Sequence, residues 1–459
     1  MKLKSFMSAA LAVVVSSGAF TACTNKDDVS NYGVKTVTIW GNGAGTNVDA
    51  DIAENFNKTI GKEKGIRIDY QVKEGDLQQQ IEIALQSGKA PDLFGAAKLK
   101  EFAEKKYIAP ITDFKGGQEF IDESIKDGGL FEENTNVMDG KPYTVSTSIM
   151  TLGLIYNKDM FKKAGLVDKN GDATPPETWD ELREYSKKLT DKSKRQYGII
   201  LPMKWAAWFD YDIRYSAVSS APNMGFNTET MQCDYSQMNG ILNTLVGLKE
   251  DGSCYPGAEG IDNDPARARF AEGKIGMKIS MSWDVGVFKE QFPANFDWGV
   301  APIPTYSKTE KYPQFEMKQN GMFINATVLG TEREEAVFEV WKYWHGKERA
   351  RKLYEEGISL PVNFNTVKDI ETDIKGWKEF AQMQEISNIP PKGLPSVITG
   401  KKTLSDLFIN DVWNGSMTVE EATSQYTKTV NEGIDKYYEQ NKSADRKADM
   451  ALVTKNSPR

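Results

Sequence analysis

A strand, a turn of glycines, an amphipathic helix and a second strand follow one another between Lys35 and Val72, and no other feature limits the fold as much. Lys35 to Trp40 (KTVTIW) reads as the first strand and Gly41-Asn42-Gly43-Ala44-Gly45 as the turn, with Ile52, Phe56 and Ile60 in helical step behind it. Ile66 to Val72 (IRIDYQV) alternates as the second strand. Strands joined through a helix run parallel, so this βαβ opening predicts an α/β fold. Asp76 then opens a helix with Leu77, Ile81, Ala84 and Leu85 on its buried face and Gly88 at its end, and Ala90 to Phe94 reads as a third strand. At 459 residues the chain is too long for one core of this kind, which predicts two lobes.

The middle of the chain repeats the alternation. Ile149 to Tyr156 is a short apolar run bounded by turn residues, as a buried strand requires, and Asn157 to Gly165 a short helix stopped by glycine. Thr178 to Glu181 has the pattern of a capping box, opening a helix with Trp179, Leu182, Tyr185 and Leu189 on one face. Tyr197 to Leu201 is strand-like, followed by Trp205, Trp208, Phe209, Tyr211 and Tyr215 without helical periodicity. Tyr235 to Lys249 is helical, Ile275 leads into a strand ending near Ser282-Trp283, and Phe296 to Pro304 and Gly321 to Leu329 read as strands. Thr331 to Glu334 predicts a second capping box, before a helix that turns Val337, Val340, Trp341 and Trp344 inward. Thr418 to Glu421 predicts a third in the helical tail that begins at Trp377.

The N-terminus is a processing signal: Lys2 and Lys4, then an apolar core from Phe6 to Ala19, then Ala22 as the small residue before a cleavage point. Cys23 follows directly, and Phe20-Thr21-Ala22-Cys23 resembles a bacterial lipobox, departing from it at Phe20, where leucine is usual. Asn25 to Tyr32 reads as a polar tether. Cys233 and Cys254 are the remaining thiols, and their spacing neither fixes nor forbids a disulfide. The formal net charge of -8 argues against nucleic acid, which demands a basic stripe.

Enzyme patterns fail one at a time. The glycine turn with Asp69 beyond it approaches a dinucleotide fingerprint, but Thr46 stands at the sixth position and the segment lies behind an export signal. A phosphate-binding loop is excluded because no Lys-Ser/Thr pair follows the glycines. His345 is the single histidine, set in a helix beside Trp344, where a surface or boundary position is expected rather than a general base. No HExxH or CxxC spacing supports a metal, so no cofactor is expected. Glycoside hydrolysis needs two carboxylates, and among 65 acids nothing singles out a pair.

Taken together and in chain order, SGKAPDLF, LIYNKDMFKKAGL, PPETWDEL, the EGKIGM-to-SW stretch and FDWGVAPIP resemble the extracytoplasmic solute-binding proteins of sugar ABC transporters. The resemblance runs from about Thr36 to about Lys402. It implies a type II periplasmic-binding-protein fold, with two α/β lobes joined by three crossings near Met150, near Gln319 to Asn320 and near Thr366. Residues 1–22 are then a signal peptide and 23–34 a lipidated tether; 35–149 and 320–365 form one lobe, and 150–319 and 366–459 the other. Ligand should lie between the lobes, contacted by Trp40, Asn42 and Gly43 at the first turn and by Asp92, Ala96 and Lys98 after the third strand. Met150 and Asn320 at the crossings, and Trp205, Trp208, Trp283 and Asp284 on the second lobe, complete the set. Flat indoles suit the C–H faces of sugars and polar side chains their hydroxyls. Trp179, Trp341 and Trp344 lie on helical core faces and are expected to be structural. Gly95 to Lys98 departs from the aromatic and acid found in maltose-binding relatives, which weighs against maltodextrin itself. The implied function is capture of a carbohydrate, an oligosaccharide by preference, by a lipid-anchored monomer that hands it to an ABC permease without catalysis. A glycerol phosphate or peptide binder, or an exported carbohydrate-active enzyme, is the alternative.

Overall fold

The computed structural model describes residues 33–41, 45–95, 98–132, 135–220, 225–227, 229–388 and 394–455. Cys23, Asn42, Gly43 and Ala96 lie outside the described residues. The first sheet is built from β1 (Lys35–Gly41), α1 (Thr46–Lys58), β2 (Ile66–Val72), α2 (Leu77–Gln86) and β3 (Leu93–Phe94). Asp76 caps α2 by accepting from the Gln79 N–H. β1 pairs in parallel with both β2 and β3, as a βαβ opening demands.

The second sheet is organised around β4 (Ser146–Asn157), a strand of 12 residues. Its second half is buried on both faces, which explains why LGLIY reads as an unbroken apolar run. α3 (Trp179–Leu189) covers the sheet through Trp179, Leu182 and Leu189. β5 (Tyr197–Ile199), α4 (Asn263–Ala271) and β6 (Ile275–Met281) follow, β6 lying parallel to β5 and antiparallel to β4. β7 (Trp298–Ala301) and β8 (Gln314–Asn320) also run antiparallel to β4. β9 (Phe323–Ile324) then returns to the first sheet, antiparallel to β3, and completes the order β9-β3-β1-β2. α5 (Glu334–Trp344) and α6 (Lys347–Glu355) close the first core before β10 (Leu360–Pro361) pairs with Ser148 and Ile149 of β4.

Three segments therefore pass between the two cores. Val145 and Met322 are buried in the first core, whereas Leu152 and Phe315, further along the same two antiparallel strands, are buried in the second. The third passage pairs at Leu360–Pro361, a few residues before Thr366. The long α7 (Val419–Gln440) has both halves of its capping box, Thr418 accepting from the Glu421 N–H and Glu421 from that of Thr418.

Several local expectations are corrected. Gly321 to Leu329 is not one strand: after β9 the Asn325 side chain accepts from the Thr327 N–H and turns the chain into a 3-10 helix at Ala326–Val328. No capping box forms at Thr331, whose hydroxyl donates to the Val328 carbonyl, and α5 begins at Glu334. At Thr178 only the threonine half forms, because Glu181 accepts from the Glu177 N–H instead. Ile60 leaves the α1 stripe and is exposed, since the helix breaks at Thr59. Cys233 and Cys254 are free thiols.

Candidate ligand cleft

A cleft of about 630 Å³ opens between the two sheets. Its first-lobe wall comes from the end of β1 (Trp40, Gly41), from Leu77 and Gly95, and from Asp49, Trp344 and Arg349. Its floor is the paired crossing strands, with Ser148 and Met150 on β4 and Met317 to Asn320 on β8. Trp283, one residue past Ser282 at the end of β6, is its second-lobe wall. Of the expected contacts, the fold brings Trp40, Met150, Trp283 and Asn320 to this one space.

The indoles are held rather than loose. Trp40 donates from Nε1 to Gln71 Oε1 at 3.1 Å and carries the Lys73 ammonium 4.1 Å from its ring centroid. Trp283 meets Tyr211 edge-on at 5.7 Å between centroids, and Tyr211 stacks on Trp205 at 5.6 Å. Tyr211 thus joins two tryptophans far apart in sequence. Lacking a periodic pattern around it, it carried no sequence signal of that role.

Each cation lining the cleft is already matched. Arg349 gives Nε to Asp49 Oδ1 at 2.6 Å and Nη2 to Asp49 Oδ2 at 3.2 Å, while its guanidinium lies 5.3 Å from the Trp344 ring centroid. Lys318 donates to Glu132 Oε1 at 2.6 Å. Burial, helped by Asp49, raises the Tyr70 phenol well above its ordinary value, so it stays neutral. Glu316, two residues before Lys318 on β8, is pushed up to about 7 by burial against the pull of Lys318. Sequence reasoning missed Asp49 and Arg349 because only the fold brings α1 beside α6.

Four expected contacts are corrected. Trp208 is fully buried in the second core against Phe209 and Phe408 and does not line the cleft. Asp284 is also buried; burial alone raises its carboxyl, but Lys278 and Arg267 outweigh it and hold the group below the usual range. It pairs with Lys278 at 3.2 Å and with Arg267, so it braces β6 against α4. Asp92 accepts from the Thr38 N–H at 2.8 Å and from Arg333, pinning β1 to the start of α5. Lys98 pairs with Glu82 at 2.6 Å and is not among the residues that line the cleft. Trp205 lines an adjoining hollow that shares Trp283 with the cleft.

His345 sits at the boundary, partly buried at the C-terminal end of α5. Its Nε2 accepts from the Met322 N–H at 2.9 Å and its Nδ1 donates to the Trp341 carbonyl at 2.7 Å. Burial drives it down to about 3, so it is neutral and engaged at both nitrogens. A side chain at Gly321 would fall on its ring, with a Cβ 2.0 Å from Nε2. Among the described residues no group of three metal-ligating side chains exists. No helix there is long and apolar enough to cross a membrane.

A family model described as bacterial extracellular solute-binding protein matches residues 42–343. The maltotriose-binding protein of Pyrococcus abyssi is 26% identical over 303 residues, covering 64% of this chain and 60% of that protein. The periplasmic sn-glycerol-3-phosphate-binding protein of Shigella flexneri is 24% identical over 368 residues, 74% of this chain and 78% of that one. Among solved structures, the sugar-binding protein MalE of Xanthomonas citri superposes with a TM-score of 0.66 at 19% identity, covering 90% of this chain and 100% of its own.

Proposed function

Because the chain belongs to the bacterial extracellular solute-binding proteins, we propose that it captures a neutral carbohydrate, an oligosaccharide by preference, between its lobes and delivers it to an ABC permease without chemical change. One observation carries this reading. Trp40 and Trp283 face a single cleft from different lobes, and the cations of that cleft are spent on Asp49 and Glu132. Indole faces remove the C–H faces of a sugar from water, and Ser148 and Gln319 on the floor offer polar partners to hydroxyls. A phosphate would instead call for converging unpaired Arg or Lys, so the charge pattern disfavours glycerol phosphate.

The lobes comprise 35–149 with 320–365 and 150–319 with 366–459, and they close on ligand by bending at the β4, β8 and β10 passages. Cys23 carries lipid and residues 23–34 tether a monomer to the outer face of the plasma membrane. The decisive experiment is a thermal-shift and calorimetric screen of neutral glycans beside glycerol 3-phosphate, followed by mass analysis of recovered ligand. A neutral glycan that stabilises the protein and returns intact is the expected result. Stabilisation by glycerol 3-phosphate alone, or cleavage of the glycan, would refute the reading.

A further inference from the structure

The first-lobe wall of the cleft carries an ion pair where a neutral ligand has no need of one. Asp49, in the first turn of α1, and Arg349, on α6, both line the cleft. Their pairing is bidentate, Nε to Oδ1 and Nη2 to Oδ2. An ion pair largely withdrawn from water gains little net stability from its own attraction, so its place in a binding wall calls for another reason.

The surroundings hold Asp49 as an ionised acceptor. The N-terminal end of α1 favours a negative charge, and the Tyr70 hydroxyl donates to Asp49 Oδ2 at 3.4 Å. That approach depends on Gly41 at the end of β1, where a Cβ would collide with the Tyr70 hydroxyl. On the other side the Arg349 guanidinium lies against the Trp344 ring. With Nε and Nη2 committed to Asp49, Nη1 is left without a hydrogen-bond partner among the described residues, and the Arg349 side chain keeps 21% of its surface exposed. The corner therefore has no net charge and still has a donor within reach of the cleft. A sugar hydroxyl can accept from Nη1 without bringing a charge of its own. A carboxylate or phosphate finds the Nε–Nη2 edge of the guanidinium taken and the Asp49 charge beside it.

We propose that Asp49 is the specificity-determining residue of this cleft: by holding Arg349 it leaves Nη1 for a hydroxyl of a neutral sugar and withholds the positive charge from carboxylates and phosphates. The proposal rests on the carbohydrate reading above and adds to it the residue that sets charge selectivity. Freed of Asp49, Arg349 would make the same cleft an anion site.

The test is competition calorimetry on the full chain, with the neutral glycan that gives the largest thermal shift displaced by inorganic phosphate, glycerol 3-phosphate or free glucuronate. Asp49→Asn keeps the shape of the side chain and removes its charge. The anions should compete weakly in the parent and about tenfold or more strongly in Asp49→Asn, the gain of an unpaired guanidinium. Asp49→Ser carries the same expectation and keeps the test open if Asp49→Asn fails to fold. Asp51→Asn, on the exposed side of α1, changes the net charge equally and should gain nothing. Adding Arg349→Gln to Asp49→Asn should return the anions to their parental weakness. Competition unchanged in both Asp49 variants, gained equally in Asp51→Asn, or kept in the double variant would overturn the assignment while sparing the carbohydrate reading. Failure of every neutral glycan to bind the parent would overturn both.

Discussion

Trp283 and Trp208 show how one side chain serves two ends. Trp283 faces the cleft, so Trp283→Ala should weaken glycan binding by about 2 to 4 kcal/mol, as for an aromatic hot spot, and barely move the ligand-free unfolding temperature. Trp208 is sealed in the core, so Trp208→Ala should cost about 3 to 5 kcal/mol of stability. Titration calorimetry and urea unfolding of both variants separate the roles; equal destabilisation of the empty protein would place Trp283 in the core. Trp208 was the harder of the two to place from sequence, because it sits in an aromatic stretch without periodicity where only packing decides which indole is covered, whereas Trp283 stands alone just past a strand end. His345 and Asp212 give a second residue-level expectation, with opposite signs. His345 is held down near 3 by burial, so its stabilising share is present above the ordinary histidine value of about 6.5 and is lost as pH falls toward 3. Asp212 is pushed up to about 7 by burial, so its share is present below the ordinary carboxylate value of about 4 and is lost as pH rises through 7. Between about 4 and 6.5 the two slopes, each up to about 1.4 kcal/mol per pH unit, oppose one another. Unfolding free energies measured across that window should tilt upward with pH in Asp212→Asn and downward in His345→Gln, relative to the parent.

At the scale of elements, β4 was legible because a strand buried on both faces must be an unbroken apolar run, and α2, α3 and α7 because a capping residue precedes a periodic face. The short pieces were not. β9 has two residues, and its pairing with β3 is set by the crossing strand that delivers it rather than by any local pattern. The Asp284 brace between α4 and β6 was equally hidden, since Asp284 beside Trp283 reads as a ligand contact until Lys278 and Arg267 are seen against it. Asp284→Ala leaves Lys278 buried without its carboxylate and should destabilise by about 3 to 5 kcal/mol in chemical unfolding. The junction of β8 and β9 makes another expectation. Gly321→Ala drives a methyl into the His345 ring and the Val145 carbonyl, at a cost of about 1 to 3 kcal/mol. An unfolding midpoint unchanged in Gly321→Ala would mean that the crossing is looser than its packing implies.

For the whole molecule, two lobes followed from chain length and from the alternation of strands with helices, because neither sheet alone could bury so much apolar surface. The cleft was only partly legible. Its tryptophans at the ends of β1 and β6 stand out as large side chains beside strand termini, whereas Asp49, Arg349 and Lys318 reach it from parts of the chain that only the fold assembles. On the proposed reading, those matched charges suit a neutral ligand, and the position of the cleft between two cores predicts closure on binding. A ligand that touches both Trp40 and Trp283 stabilises the closed arrangement over the open one by its contacts with the second wall. The most direct check is small-angle scattering of the full chain, alone and saturated with the glycan that gives the largest thermal shift. The radius of gyration should fall on saturation, and an unchanged radius at full occupancy would contradict a clamp that closes on sugar.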